Sequence, residues 1–300
     1  MPLDDIAIAR LADADISSCQ SIFDVAYGDL HRRYGLPIED SPDSDWLRPI
    51  LRHFLETDPD RSLIARSGAE PVAFATAFRR DAYWFLSFLF VLPSLQGRGI
   101  GRRLLERLVA RDGDAARATV VESFQPVSTG LYASVGMTPR SIKYWVSGFT
   151  KVDGFPRLPD GITRSDSTEQ DTEDVDELDR TILGFTRPSD HAWWRAAGQP
   201  RSAFRRRGRL VAYAYVDDGF IGPALAVDEA TLCAVVAELV RTAEDPSAAS
   251  VNVCGDSASV LQMLVNAGGR IDDTEPYRFT YCSNVRPLPP SYIHHSDWLP

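Results

Sequence analysis

The residues best placed to do chemistry lie in QGRGIGR, Gln96 to Arg102. Three glycines, Gly97, Gly99 and Gly101, fall two apart, with Arg98, Arg102 and Arg103 among and behind them. Leu104, Leu105, Leu108 and Val109 follow at helical spacing. The start of a helix presents unpaired backbone N–H groups and the positive end of a dipole. Glycines there remove Cβ atoms where an anion would meet the backbone, so the pattern reads as a cradle for a phosphate-like anion. The spacing separates the anions. A Walker loop, GxxxxGK[ST], is absent. A dinucleotide loop needs GxGxxG inside a parallel βαβ unit, whereas these glycines follow strands that read as antiparallel.

The elements that must position this loop can be read from the hydrophobic pattern. Ile6–Leu11 alternates like a strand, and Asp13 or Asp15 can cap a helix running to about Arg33. Trp46–Glu56 places Leu47, Ile50, Leu51, Phe54 and Leu55 on one helical face. Arg61–Arg66, Pro71–Phe78 and Tyr83–Leu92 form a predicted antiparallel meander. Its third strand is apolar almost throughout, as expected when both faces are covered. After the glycine loop and its helix come a strand at Thr119–Phe124, a short helix at Ser128–Val135 stopped by Gly136, and a closing strand at Ile142–Phe149. Thr150–Gly161 is rich in Pro and Gly and reads as a linker.

The second half repeats this order. RSLIARSG from Arg61 matches RSAFRRRG from Arg201 at its Arg, Ser, Arg and Gly positions, and VAFA from Val72 is followed by its likeness VAYA from Val211. Helices are expected at Asp171–Leu183, around DHAWWRAAG, at Thr231–Glu244 and at Ser259–Asn266, with strands at Ser250–Cys254 and Tyr277–Ser283. The repeat fails where the chemistry should be. VDEATLCAVV, from Val227, has no glycine before its helix, and LYASVG in the first half faces MLVNAG in the second, so Tyr132 meets Leu264. The tail RPLPPSYIHHSDWLP reads as a proline-rich surface segment.

Composition narrows the function. The 300 residues are 44% hydrophobic and 25% charged, the profile of a globular chain of one large or two ordinary domains. A net charge of −10 argues against nucleic acid, which needs a basic face, and permits a cationic amine partner. No apolar run approaches a membrane span, and the N-terminal stretch lacks a signal-peptide layout, so the expected location is the cytoplasm. The four cysteines and five histidines show neither disulfide nor metal-ligand spacing, so no metal is expected.

At this point the chain resembles the GNAT N-acetyltransferase superfamily. QGRGIG matches its [QR]-x-x-G-x-[GA] motif, placed after an apolar strand and before a helix. LYASVGM, Leu131–Met137, resembles its L-Y-x-x-x-G-F signature, with Met137 in place of Phe. The resemblance implies an α/β (α+β) fold: two tandem GNAT-like domains, each a mixed, mostly antiparallel sheet flanked by helices, the second degenerate. It implies acetyl-CoA as co-substrate. The pyrophosphate would sit on backbone N–H groups across Gln96, Gly97, Arg98, Gly99, Ile100, Gly101 and Arg102, and the pantetheine arm along Leu89, Phe90 and Val91.

For the chemistry, the resemblance makes Tyr132 the general acid that protonates the departing thiolate. The family's glutamate on the central strand is missing from YWFLSFLFV, so Glu122 on the next strand is the candidate base and Ser123 at most a relay. Gln125 stands where the family often has asparagine. Acceptor-binding candidates are Asp24, Tyr27 and His31, with the acidic loop Glu39–Asp45 behind them. The expected organisation is a catalytic domain over 1–150, a linker over 151–160 and a degenerate domain with its tail over 161–300. The expected activity is acetyl transfer from acetyl-CoA to a primary amine of a small molecule by direct attack. Two alternatives stand beside it: a non-catalytic acyl-CoA-binding sensor or interaction protein, and a protein N-terminal or lysine acetyltransferase. The protein is expected to be a monomer or homodimer.

Overall fold

The computed structural model describes residues 5–36, 46–113, 115–271, 279–285 and 288–299. The acidic loop Glu39–Asp45 therefore lies outside the described residues. The chain divides into two compact units. The first comprises residues 1–79 and 83–117, the second residues 80–82 and 118–300.

The first unit contains β1 (Ile6–Arg10), α1 (Ile16–Tyr34), α2 (Leu47–Thr57), β2 (Ser62–Ser67), β3 (Glu70–Arg80), β4 (Tyr83–Val91) and α3 (Ile100–Asp112). The strands lie in the order β1-β2-β3-β4, with β1–β2 and β2–β3 antiparallel. The central strands β3 and β4 are buried through most of their length because α1 and α3 both pack on β4. The far end of α3 is fixed by charge. Asp112, whose side chain is almost fully buried, accepts from Arg61 Nε (2.9 Å) and Nη2 (2.6 Å) and from Arg79 Nη1 (3.1 Å). These cations hold its carboxyl below the ordinary range against the cost of burial.

The second unit begins with β5 (Ala116–Glu122), whose last five residues belong to it, and continues through α4 (Pro126–Ala133), β6 (Thr138–Ser147), β7 (Ile162–Asp166), α5 (Thr172–Ile182) and α6 (Pro188–Ala196). Then follow β8 (Arg201–Arg206), β9 (Arg209–Asp217), β10 (Phe220–Ala226), α7 (Glu229–Arg241), β11 (Ser250–Cys254), α8 (Ala258–Asn266), β12 (Arg270–Ile271), β13 (Phe279–Ser283) and β14 (Tyr292–Ile293). The sheet order is β5-β13-β6-β11-β10-β9-β8-β7, with β12 on β6 and β14 on β10. Only β10 and β11 are parallel among the pairs whose register is defined here. The core of this unit gathers Phe204, Ala212, Val235, Val251, Val260 and Leu264, all buried.

Two features depart from the sequence-based expectation. First, β6 does not close its own half beside β5. β13, the last long strand of the second half, lies between them, paired antiparallel with both, while β6 goes on to pair with β11. Each half thus lends its closing strand to the other. A duplicated pattern permits this, because either copy's strand presents a suitable pairing edge. It also explains why the compact second unit starts at Ala118 rather than in the linker. Second, the tail is not a surface segment. Tyr292, Ile293, His294 and Leu299 are buried, drawn in by the pairing of β14 with β10.

Candidate active site

The glycine loop lies in the first unit. β4 ends at Val91, a 3-10 turn spans Pro93–Leu95, and α3 starts at Ile100. The helix is preceded by Gly99 in the left-handed region, φ 81°, and Gly97 is left-handed too, φ 75°. These conformations favour glycine over any residue with a Cβ. Gly99 supplies no side chain to cap the helix, so the opening amides of α3 point out of an exposed loop. An added Cβ at Gly97 would meet nothing within 4 Å, so the space in front of the loop is open.

The side chains around the loop divide by role. Gln96 Nε2 donates to the Val91 carbonyl (3.0 Å), and its Oε1 accepts from Arg33 Nη2 (3.5 Å), tying loop to strand end. Arg98 and Arg102 are exposed; Arg102 lies 3.9 Å from Glu106. Arg103 is instead turned to the sheet, where it donates to the Ile6 carbonyl (3.2 Å). Of the three arginines noted in the sequence, two remain beside the loop.

On β4, Phe90 packs edge-on to Phe23 of α1 (5.1 Å separates Phe23 and Tyr27, which are stacked, and 4.8 Å separates Phe23 and Phe90). Tyr27 and His31 form the next rung of this ladder, with centroids 4.1 Å apart. The three acceptor candidates therefore differ in access. Asp24 is exposed and accepts from Gln20 Nε2 (2.8 Å), Tyr27 is half-buried, and His31 is buried. Trp46 packs edge-on to Phe23 at 5.2 Å, so the wall beside β4 is aromatic, a feature visible only when α1 and α2 are folded.

Tyr132 and Glu122 lie in the second unit. Tyr132 is buried on α4, and burial raises its pKa above the ordinary phenol range, making it a weaker acid. It therefore holds its proton throughout the neutral range, as an acid must before it donates. Glu122 is half-buried at the end of β5, opposite Phe279 of β13, and its carbonyl accepts from Gln125 N (2.9 Å). Ser123 Oγ lies 2.6 Å from Thr280 Oγ1.

The corresponding helix start in the second half is closed. Asp228 precedes α7, and its Oδ1 accepts from Thr231 N (2.7 Å); Glu229 Oε1 accepts from Ser259 N (2.8 Å) in the first turn of α8. The chain's own carboxylates thus take the helix-terminal donors that an anion would need.

The second unit also holds a buried ionic cluster that sequence reading missed. Asp179 accepts from Arg187 Nε (3.2 Å) and Tyr213 OH (2.5 Å) and lies 3.0 Å from His191 Nε2. His191 Nδ1 lies 2.9 Å from Tyr215 OH, and Arg187 Nη2 donates to Tyr213 OH (2.7 Å). Burial lowers the affinity of His191 for a proton, although Asp179 opposes this. The one sequence cue was Asp179 next to Leu178 and four residues after Val175, on the buried face of α5. Among the described residues, no group of three or more His, Cys, Asp or Glu side chains could hold a metal ion. No described helix is long and apolar enough to cross a membrane.

Comparison with known proteins agrees with the fold. Residues 25–137 match the Acetyltransferase (GNAT) family, a span that contains both the glycine loop and Tyr132. No curated protein matches the chain. Among solved structures, it is similar to a provisionally named acetyltransferase from Pyrococcus horikoshii at 15% identity and a TM-score of 0.74, covering 100% of this chain and 98% of that one. A tandem GNAT protein from the clavulanic acid biosynthesis pathway gives 17% identity and a TM-score of 0.59, covering 93% and 98%. A GCN5-related N-acetyltransferase from Sphaerobacter thermophilus gives 16% and 0.56, covering 94% and 96%. The match to the GNAT family thus covers residues 25–137, and the fold is similar to that of tandem GNAT proteins.

Proposed function

We propose that this protein is an N-acetyltransferase that moves an acetyl group from acetyl-CoA to the primary amine of a small molecule. The observation that carries this reading is the exposed, uncapped start of α3 at Gly99, inside the family-matched segment. Left-handed glycines, open space at Gly97 and exposed Arg98 and Arg102 suit a pyrophosphate. When bound, acetyl-CoA would supply an activated thioester carbonyl. The end of β4 at Leu89–Val91 would orient its arm by backbone pairing.

The remaining chemistry is proton movement. An ammonium must lose a proton before it attacks, and the leaving thiolate gains from receiving one. Tyr132, buried and firmly protonated, is the proposed acid. Glu122 is the proposed base. Asp24, Tyr27 and His31 are the proposed acceptor contacts, with Phe23 and Trp46 as an aromatic wall beside them. In this scheme residues 1–150 are the catalytic domain and 161–300 the degenerate one, joined by 151–160.

The test is thiol release from acetyl-CoA in the presence of amines of graded size, with peptides bearing free N-termini or lysines in parallel. Turnover on small amines supports the proposal. Turnover confined to peptides transfers the activity to protein acetylation, and tight acetyl-CoA binding without turnover on any acceptor makes the chain a binding protein.

A further inference from the structure

β10 and β11 run side by side only briefly. They pair in parallel at Phe220↔Ser250 and Ile221↔Val251. An irregularity in β10 between Ile221 and Ala224 follows, and from Ala224 onward β10 pairs with β14 instead. The register is Ala224↔Ile293 and Leu225↔Tyr292, and Ala226 N donates to the Ser291 carbonyl (3.1 Å). The tail therefore satisfies backbone groups that the parting of β10 from β11 leaves without a strand partner.

Three further observations show a place built for an extended chain. A Cβ on Gly222 would stand 2.5 Å from the His294 carbonyl oxygen, so the tail backbone comes as close to β10 as a glycine allows. Tyr292 OH accepts from Arg187 Nη1 within the buried ionic cluster, and the Arg187 guanidinium lies 5.0 Å from the Tyr292 ring centroid. Past the strand, His294 Nε2 meets Cys254 Sγ of β11 at 3.4 Å, and Lys143 of β6 donates to the Ser296 carbonyl (3.3 Å) and pairs with Asp297. The tail is thus gripped by β10, β11 and β6 in turn.

We propose that the opening between β10 and β11 is a strand-accepting slot and that tail residues 288–299 are its built-in ligand. The slot takes an extended polypeptide by main-chain pairing to β10 and by a tyrosine hydroxyl on Arg187. Together with Asp228 and Glu229 at the helix starts, the tail leaves the second half filled by the chain's own groups. The slot and its occupant rest on the pairing and on Gly222, independently of the coenzyme reading above.

Amide hydrogen exchange on the full chain, without acetyl-CoA, tests this independently of any turnover. In the wild type, the amides of residues 291–299 and of Ala224–Ala226 are expected to exchange slowly and at similar rates. Gly222→Ala should accelerate both groups by at least about tenfold, and Tyr292→Phe by a smaller factor. Wild-type tail amides exchanging at unprotected rates would overturn the proposal. So would a folded Gly222→Ala chain whose tail keeps its full protection. Should Gly222→Ala not fold, the wild-type rates and Tyr292→Phe decide the matter, and a Tyr292→Phe chain with unchanged tail exchange counts against the slot.

Discussion

The starts of α3 and α7 stand at matching points of two similar halves, and they differ in one respect that matters. α3 begins behind Gly99, with no side chain to cap it, in an exposed loop. α7 begins behind Asp228, whose carboxylate already accepts from Thr231 N. Both helices have thirteen residues, so their dipoles are alike. The difference is who satisfies the donors. One end has no side-chain cap, and the other is capped by the chain's own carboxylate. Two similar halves thus keep one architecture with differently finished helix starts.

The largest effect expected from this comparison comes from placing a carboxylate on the open end. Gly99→Glu should weaken acetyl-CoA binding by more than about 100-fold, roughly 3 kcal/mol. A side chain at φ 81° also costs about 1–2 kcal/mol of stability, so the melting temperature should fall by several degrees without loss of the fold. Calorimetric titration and thermal melts read both quantities. Unchanged affinity would remove the loop from the coenzyme site.

Tyr132→Phe should lower kcat by about 100-fold or more while leaving acetyl-CoA affinity within about twofold, because it removes a proton donor and little packing. The loss should be the same across the neutral pH range, because the buried phenol keeps its proton there. A kcat within a few-fold of wild type would return Tyr132 to a packing role.

Asp228→Ala tests the closed end. Loss of the cap should cost about 1 kcal/mol, seen as a drop of a few degrees in melting temperature, with no change in acetyl-CoA affinity or stoichiometry. A gain of a second binding site would show that the cap alone had closed it.

The last effect concerns acid. Burial of its ring lowers the pKa of half-buried His295 to about 3, and that of buried His294 well below 6.5. His294 faces Cys254, Lys143, Arg187, Tyr281 and Tyr292, and His295 faces Trp194, Phe220, Asp190, Arg187 and Lys143. The unfolded chain binds these protons first, so stability is complete above pH 6.5 and falls as pH drops toward 3. The slope is at most about 1.4 kcal/mol per pH unit for each histidine. His295→Gln should flatten the decline in melting temperature between pH 6.5 and 5. An identical decline in that variant would place the acid sensitivity elsewhere.

What could be read from the sequence was local. Helical spacing located α3 through Leu104, Leu105 and Leu108, and the apolar run Tyr83–Val91 marked a covered strand. Glycines marked a turn before a helix, and those at 97 and 99 are left-handed in the structure. What stayed hidden depends on partners distant in the chain. Nothing in Thr138–Ser147 says that β6 pairs with β11 and β13 rather than with β5, since two similar halves offer similar edges. The prolines of the tail suggested a surface path, yet Tyr292 and Ile293 are held by β10, whose free edge arises only from the break at Gly222. The cluster of Asp179, Arg187, His191 and Tyr213 offered only Asp179 as a cue, because its members are brought together from α5, the start of α6 and β9.

The most direct test of the central claim is the number of acetyl-CoA molecules the full chain binds. With one open helix start and one closed by Asp228, calorimetry should give one site per chain in the wild type, one in Asp228→Ala and none measurable in Gly99→Glu. Two sites in the wild type, or one surviving in Gly99→Glu, would contradict the assignment of the coenzyme to the first half.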